Sequence, residues 1–302
     1  MHYITPENVV TASLNLYRKR FKTYLKISLV SNLWSLIPIY GWAKYYAGTA
    51  LISRLAFSEI NGKTETINEA QTHINPKLWS FLVAAILAFL IFSFQAFLWM
   101  ILVSFCTGIL SFLIILLFGR LWTATYSLLP FLALLLLIFL VIIIFIYVGF
   151  FLKLLEIYSP FLIYEIPLAI EAEIASSTTI NRSRQLVQGL RRSVVKTIVI
   201  AGLATIPITI LSMLLWLMIG GFIEGVTSTP PEESTFNVIE QVIWIIYWTI
   251  FNIFLTPFWQ ILKSMVYYNL RCQKEAFDLP LTLSSPALYD NDSDFRSLGS
   301  EQ

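Results

Sequence analysis

The chain has 302 residues, 57% of them hydrophobic and only 13% charged, with a mean hydropathy of +0.75. A soluble domain carries about a quarter charged residues, and single cores stop growing beyond roughly 250–300 residues, so this apolar surplus excludes a soluble fold and predicts an integral membrane protein. A net charge of +2 gives no electrostatic footing for nucleic acid.

The first residues, "MHYITPENVV", lack a basic segment followed by an apolar one, so no cleaved signal peptide is expected and the first membrane helix would act as its own targeting signal. Six stretches then approach the roughly 20 apolar residues that a crossing requires: 24–40, 42–58, 78–103, 128–152, 194–219 and 238–262. The first two share a turn at Pro38–Trp42 and read alternatively as a re-entrant hairpin. Residues 104–126 are also apolar, but Lys and Arg cluster at 18–26, 182–196 and 263–274. By the positive-inside rule all three clusters belong in the cytoplasm, so an even number of crossings separates them. The 104–126 segment is therefore read as re-entrant, interfacial or an extension of its neighbours. The loop Glu224–Phe236 carries acids, no bases and a Pro-Pro turn, and reads as external. Residues 1–279 form a single membrane domain, and the polar tail 280–302 is expected to be disordered and cytoplasmic, as is the N-terminus.

A weak internal repeat organises this pattern. Residues 7–30 and 177–200 share a polar start, a helix-like stretch with Ser13/Leu16 or Ser183/Leu186, a basic group and then a span, and 64–87 repeats the outline with acids replacing most bases. The expectation is an all-α polytopic protein with about six transmembrane helices in three hairpins, each preceded by an amphipathic cytoplasmic helix.

Few residues suggest chemistry. Cys106 and Cys272 are too far apart in sequence and context to predict a structural disulfide, and His2 and His73 sit in no ligand-like cluster, so neither a metal nor another cofactor is expected. Nucleophile, phosphate-loop and metalloprotease signatures are missing. Gly221 and Gly225 form a GxxxG at the outer end of a span, where its packing value is small. Three constellations remain. Between Tyr164 and Arg192, Glu171 and the arginines Arg182, Arg184, Arg191 and Arg192 could contact anionic lipid headgroups or a protein partner, since the planar guanidinium donates two hydrogen bonds to phosphate. The plainer reading is an interfacial helix capped by Thr178 or Thr179. Lys44 and Arg54 lie in an apolar background but near span ends, where they can snorkel. Pro257 would kink its span and free a carbonyl, and beyond it Arg271 with Glu275 and Lys274 with Asp278 form i,i+4 pairs on an exit helix.

Two blocks resemble a known family. Pro167, Glu171, Ala175, Arg182, Ser183, Leu186 and Gly189 form one. Tyr267, Tyr268, Leu270, Arg271, Lys274, Glu275, Phe277, Asp278 and Leu279 form the other, with Asn269 and Ala276 where the family usually has Asp and Gly. Together with the opening "SLNLYRKRFKTYL" they resemble the bacterial glycerophosphodiester phosphodiesterase membrane domain, especially its stand-alone cyanobacterial members. The resemblance implies a membrane module without the hydrolase, which would need a separate barrel; only 23 residues follow Leu279. The expected role is non-enzymatic: organising, recruiting or regulating protein partners or lipids at the bacterial plasma or thylakoid membrane. A transporter or lipid-handling protein is the alternative, and a membrane-embedded lipid enzyme the least supported.

Overall fold

The computed structural model describes residues 5–121, 129–171, 174–226 and 233–275. Helix α1 (Pro6–Lys19) opens at Thr5, whose side chain accepts the Asn8 amide at 3.4 Å, with Pro at the first helical position, where a missing N–H costs nothing. Its buried face is Val9, Val10 and Ser13. The chain continues into α2 (Phe21–Trp34), reverses through a turn in which Ile39 takes φ +62, and returns as α3 (Tyr40–Ile60). Small residues let these two helices approach closely. A Cβ on Gly48 would lie 1.9 Å from Ser31 Oγ, and one on Gly41 would lie 2.0 Å from the Trp34 carbonyl oxygen.

Helix α4 (Ile67–Ile74) begins with a capping box: Thr66 Oγ1 accepts the Glu69 amide at 3.3 Å, and Glu69 accepts the Thr66 amide at 2.9 Å. One 3₁₀ turn at Asn75–Lys77 leads into α5 (Leu78–Leu121), which is followed by α6 (Leu129–Tyr158). A short α7 (Glu165–Ile170) and α8 (Ser176–Val187) precede the last pair, α9 (Arg191–Val226) and α10 (Glu233–Glu275). Gly189 at φ +84 makes the turn out of α8, a conformation glycine adopts without steric cost. Every regular element among the described residues is helical.

Burial matches across the three copies of the internal repeat at five positions. Ser13, Tyr24, Ile27, Ser28 and Ser31 are buried in the first copy. Their counterparts Ala70, Phe81, Ala84, Ala85 and Ala88 are buried in the second, and Ser183, Val194, Thr197, Ile198 and Ala201 in the third. Each copy is an amphipathic helix (α1, α4 or α8) followed by a helical pair (α2–α3, α5–α6 or α9–α10).

Four helices, α5, α6, α9 and α10, are long and apolar enough to cross a membrane. The other two stretches read as spans lie in the first pair. The 14 residues of α2 reach about 21 Å, short of the roughly 30 Å hydrocarbon core. Helix α3 has the length, but most of it is packed inside the protein and Arg54 and Glu59 near its end are ion-paired. The first pair thus takes the hairpin form that the shared turn suggested, with Leu33, Leu36, Ile37, Ile39 and Trp42 exposed around its tip.

The 104–126 segment also finds its place, up to residue 121. Helix α5 runs unbroken for 44 residues, so 104–121 extends the span before it, and 122–126 lie outside the described residues. Phe92 meets Tyr158 with ring centroids 5.6 Å apart, and the Lys153 ammonium lies 5.7 Å from the Trp99 ring centre. These contacts fix an antiparallel register in which the 30 residues of α6 match the last 30 of α5, an arm of about 45 Å. The start of α5, with Leu78, Phe81, Leu82, Ala84 and Ala85 buried, packs into the base. In the second hairpin Trp216 packs on Trp244 and Tyr247, at 4.7 and 5.3 Å, and the Tyr247 hydroxyl donates to the Ser212 carbonyl.

Pro257 leaves the Ile253 carbonyl without its usual i+4 amide. The Ser28 hydroxyl donates to that oxygen at 2.8 Å, and the Tyr17 hydroxyl donates to the neighbouring Phe254 carbonyl at 3.0 Å. The backbone loosened by the proline is thus satisfied by the first module rather than opened to a cavity.

Candidate functional site

Polar side chains converge on α7, whose sequence "EIPLAI" places a carboxylate at its first position and a second, Glu171, just past its end. Glu165 is almost fully buried and accepts from Lys263 Nζ of α10 at 2.6 Å. Glu171 accepts from Tyr267 Oη at 2.5 Å and from Arg182 Nε of α8 at 3.2 Å. Arg182 also pairs with Glu275, which in turn accepts from Arg271 Nε at 2.8 Å, while the Arg271 guanidinium lies 5.7 Å from the Tyr267 ring centre. Burial alone would lower the Arg182 pKa, but the carboxylates of Glu171 and Glu275 outweigh it and hold the pKa above its ordinary value.

The carbonyls at the end of α7 are claimed as well. Lys77 Nζ donates to Leu168 O at 3.1 Å and Glu171 O at 2.9 Å, and an Arg54 terminal nitrogen donates to Ala169 O at 2.8 Å. Cations at a helix C-terminus satisfy orphan carbonyls and complement the dipole. Arg54 also grips Glu65, with Nε 2.9 and 3.1 Å from its two oxygens, so it is bound inside the protein rather than snorkelling. A second cluster joins α1, α2 and α3: Glu59 lies 3.3 Å from Lys19 Nζ and 3.1 Å from Arg20 Nε, in electrostatic contact rather than aligned hydrogen bonds. Burial, and then the Glu59 charge, push the Tyr24 phenol pKa up.

The sequence-derived residues divide into two sets. Glu171, Arg182, Tyr267, Arg271 and Glu275 form one connected network. Pro167, Ser183 and Tyr268 are buried around it, and Gly189 makes the turn. Arg184 stacks on Phe161 at 5.5 Å, whereas Arg191, Arg192 and Lys274 are exposed. Asp278 and its pairing with Lys274 lie outside the described residues. Thr178 and Thr179 do not cap α8; Ala175 occupies that position, and Thr179 donates to Tyr164 O at 2.5 Å. Lys44 rests 5.8 Å from the Tyr40 ring centre. Sequence reasoning missed the Glu165–Lys263 pair and the Lys77 contacts. A lysine directly after the apolar stretch 238–262 is a signal of the first, since a charge so close to lipid requires a partner.

A shallow cleft of about 380 Å³ lies beside Arg54, Asn61, Lys63, Glu65 and Glu69. Among the described residues no group of three or more His, Cys, Asp and Glu side chains is placed to hold a metal. No family model matches the chain, and neither does any curated protein or solved structure.

Proposed function

We propose that this chain is a non-catalytic multi-pass protein of a bacterial plasma or thylakoid membrane, whose helical base, with both termini, lies in the cytoplasm and organises, recruits or regulates protein partners or lipids there. The observation that carries the reading is the use made of the polar residues. Glu165, Glu171, Arg182, Tyr267 and Glu275 are spent on one another between α7, α8 and α10. Catalytic groups are instead found facing a cavity with their pKa values tuned to a reaction. Membership of the glycerophosphodiester phosphodiesterase membrane-domain family is part of the proposal. It rests on the two sequence blocks, whose residues Glu171, Arg182 and Glu275 meet in a single ion-pair network. A transport path around Pro257 has less support, because Ser28 already occupies the Ile253 carbonyl it frees.

Photo-crosslinkers at the exposed Gln185, Gln188 and Lys274 test the reading in the native membrane. The expected result is a discrete protein adduct at a subset of these positions, together with no hydrolysis of glycerophosphodiesters or phospholipids by the purified protein. Turnover of either substrate, or neither a protein nor a lipid adduct at any position, contradicts it.

A further inference from the structure

The three modules place one stripe each on the exposed side of the helix that follows the amphipathic leader, and the stripes differ only at the head. On α2 the stripe is Lys22, Lys26, Leu29 and Leu33, all exposed. On α9 the matching stripe is Arg192, Lys196, Val199 and Leu203, again exposed throughout. On α5 it is Trp79, Val83, Ile86 and Leu90. The spacing i, i+4, i+7, i+11 keeps each set on one helical face. In two modules, therefore, a pair of cations stands directly above a continuous apolar track, and in the remaining module a tryptophan takes that level, as aromatic residues do at a membrane surface.

These cations are not stitching the protein together. Lys22, Lys26, Arg192 and Lys196 take part in no ion pair among the described residues, in contrast to Lys19, Arg20, Arg54, Arg182 and Lys263 nearby. Glu156, which feels the charge of Arg191 and Arg192, is itself bonded to Lys153 at 2.7 Å. Like charges at i,i+4 repel, and cations in the first turns of α2 and α9 oppose the helix dipole. Both copies keep an arrangement that destabilises the isolated helix, and an anion supplied from outside would offset it. The track below each pair is apolar, so that anion sits on an acyl chain.

We propose that Lys22 with Lys26, and Arg192 with Lys196, each bind the phosphate of an anionic phospholipid whose chains lie along the stripe below, while the α5 stripe headed by Trp79 has no such preference. The inference rests on the membrane placement of the base described above, and it replaces Arg182 and Arg184 with other residues as the headgroup contacts. Basic residues at this level attract anionic lipid, with an influence that fades over a Debye length.

Retention of phosphatidylglycerol against phosphatidylcholine, counted by native mass spectrometry after extraction from equimolar nanodiscs, tests it. The wild-type chain should keep phosphatidylglycerol several-fold over phosphatidylcholine, and raised salt should reduce that preference. K22Q/K26Q and R192Q/K196Q should each lose about half of the retained anionic lipid, and the fourfold variant nearly all of it. W79Q should change nothing in that ratio. No preference in the wild-type chain, an unchanged preference in the fourfold variant, or displacement of the lipid by millimolar inorganic phosphate would each overturn the proposal. The wild-type comparison needs no variant to fold. Turnover of a glycerophosphodiester or phospholipid with the lipid preference intact would count against the proposed function alone, and protein adducts without lipid preference against this inference alone.

Discussion

Glu171 accepts from a phenol on α10 and a guanidinium on α8, so one carboxylate ties the leader helix of the third module to its last helix. Both it and Arg182 are mostly but not fully buried, with side chains 21% and 28% exposed. Solvent then screens part of the interaction, and the cost of removing one partner falls below the several kcal/mol of a fully buried pair. Glu171→Gln, and separately Arg182→Gln, should each destabilise the protein by about 1–3 kcal/mol, seen as a lower melting temperature in detergent. Combining Glu171→Gln with Tyr267→Phe should cost less than the two single losses added together, because both act on one contact. Additive losses would show that the two side chains stabilise the fold independently. The carboxylates and arginines of this network were visible in the sequence as conspicuous charges. Their pairing was not, because Glu171 and Glu275 are joined through Arg182 across more than ninety positions and nothing local records that.

At the scale of single elements, Pro257 gives the sharpest case of sequence and fold completing one another. The proline marks a lost amide in the sequence itself, yet the replacement donors come from residues more than two hundred positions away. Burial pushes the Tyr17 phenol up to about 12, so it stays protonated and able to donate throughout the physiological range. In the wild-type helix Ser28→Ala should cost about 1 kcal/mol through an orphaned carbonyl. With Pro257→Ala the new amide can reach Ile253 O, and the same Ser28→Ala change should then cost markedly less. A double-mutant cycle on melting temperature reads the difference, and equal costs in both backgrounds would contradict the account. The helix boundaries themselves were largely legible, since the six apolar stretches and the amphipathic leaders all became helices. The exception was α5, where the lack of any charge from Leu78 to Gly119 hid where the base ends and the free arm begins.

Taken whole, the molecule is a packed base carrying two long apolar hairpins and one short one. Large apolar side chains are buried in the base, in two main clusters that draw on all three modules. Those on the long arms are mostly exposed, as lipid contact requires. The membrane class and the three-part repeat followed from composition and spacing alone. The number of crossings did not, because 24–40 and 42–58 look apolar enough to be read as spans. Helix α2 is too short, and α3 has the length but not the sustained apolar character of the four long helices; Ser28 and Ser31 on α2 and Thr49 and Ser53 on α3 are all buried inside the protein. A reporter of membrane sidedness fused at residues 62, 125, 185, 230 and 275 tests the single base with its two long hairpins most directly. Two crossing hairpins predict that 62, 185 and 275 report one side and 125 and 230 the other. If 62 and 185 fell on opposite sides, or 125 shared a side with 185, the base could not be one layer and the architecture argued above would be wrong.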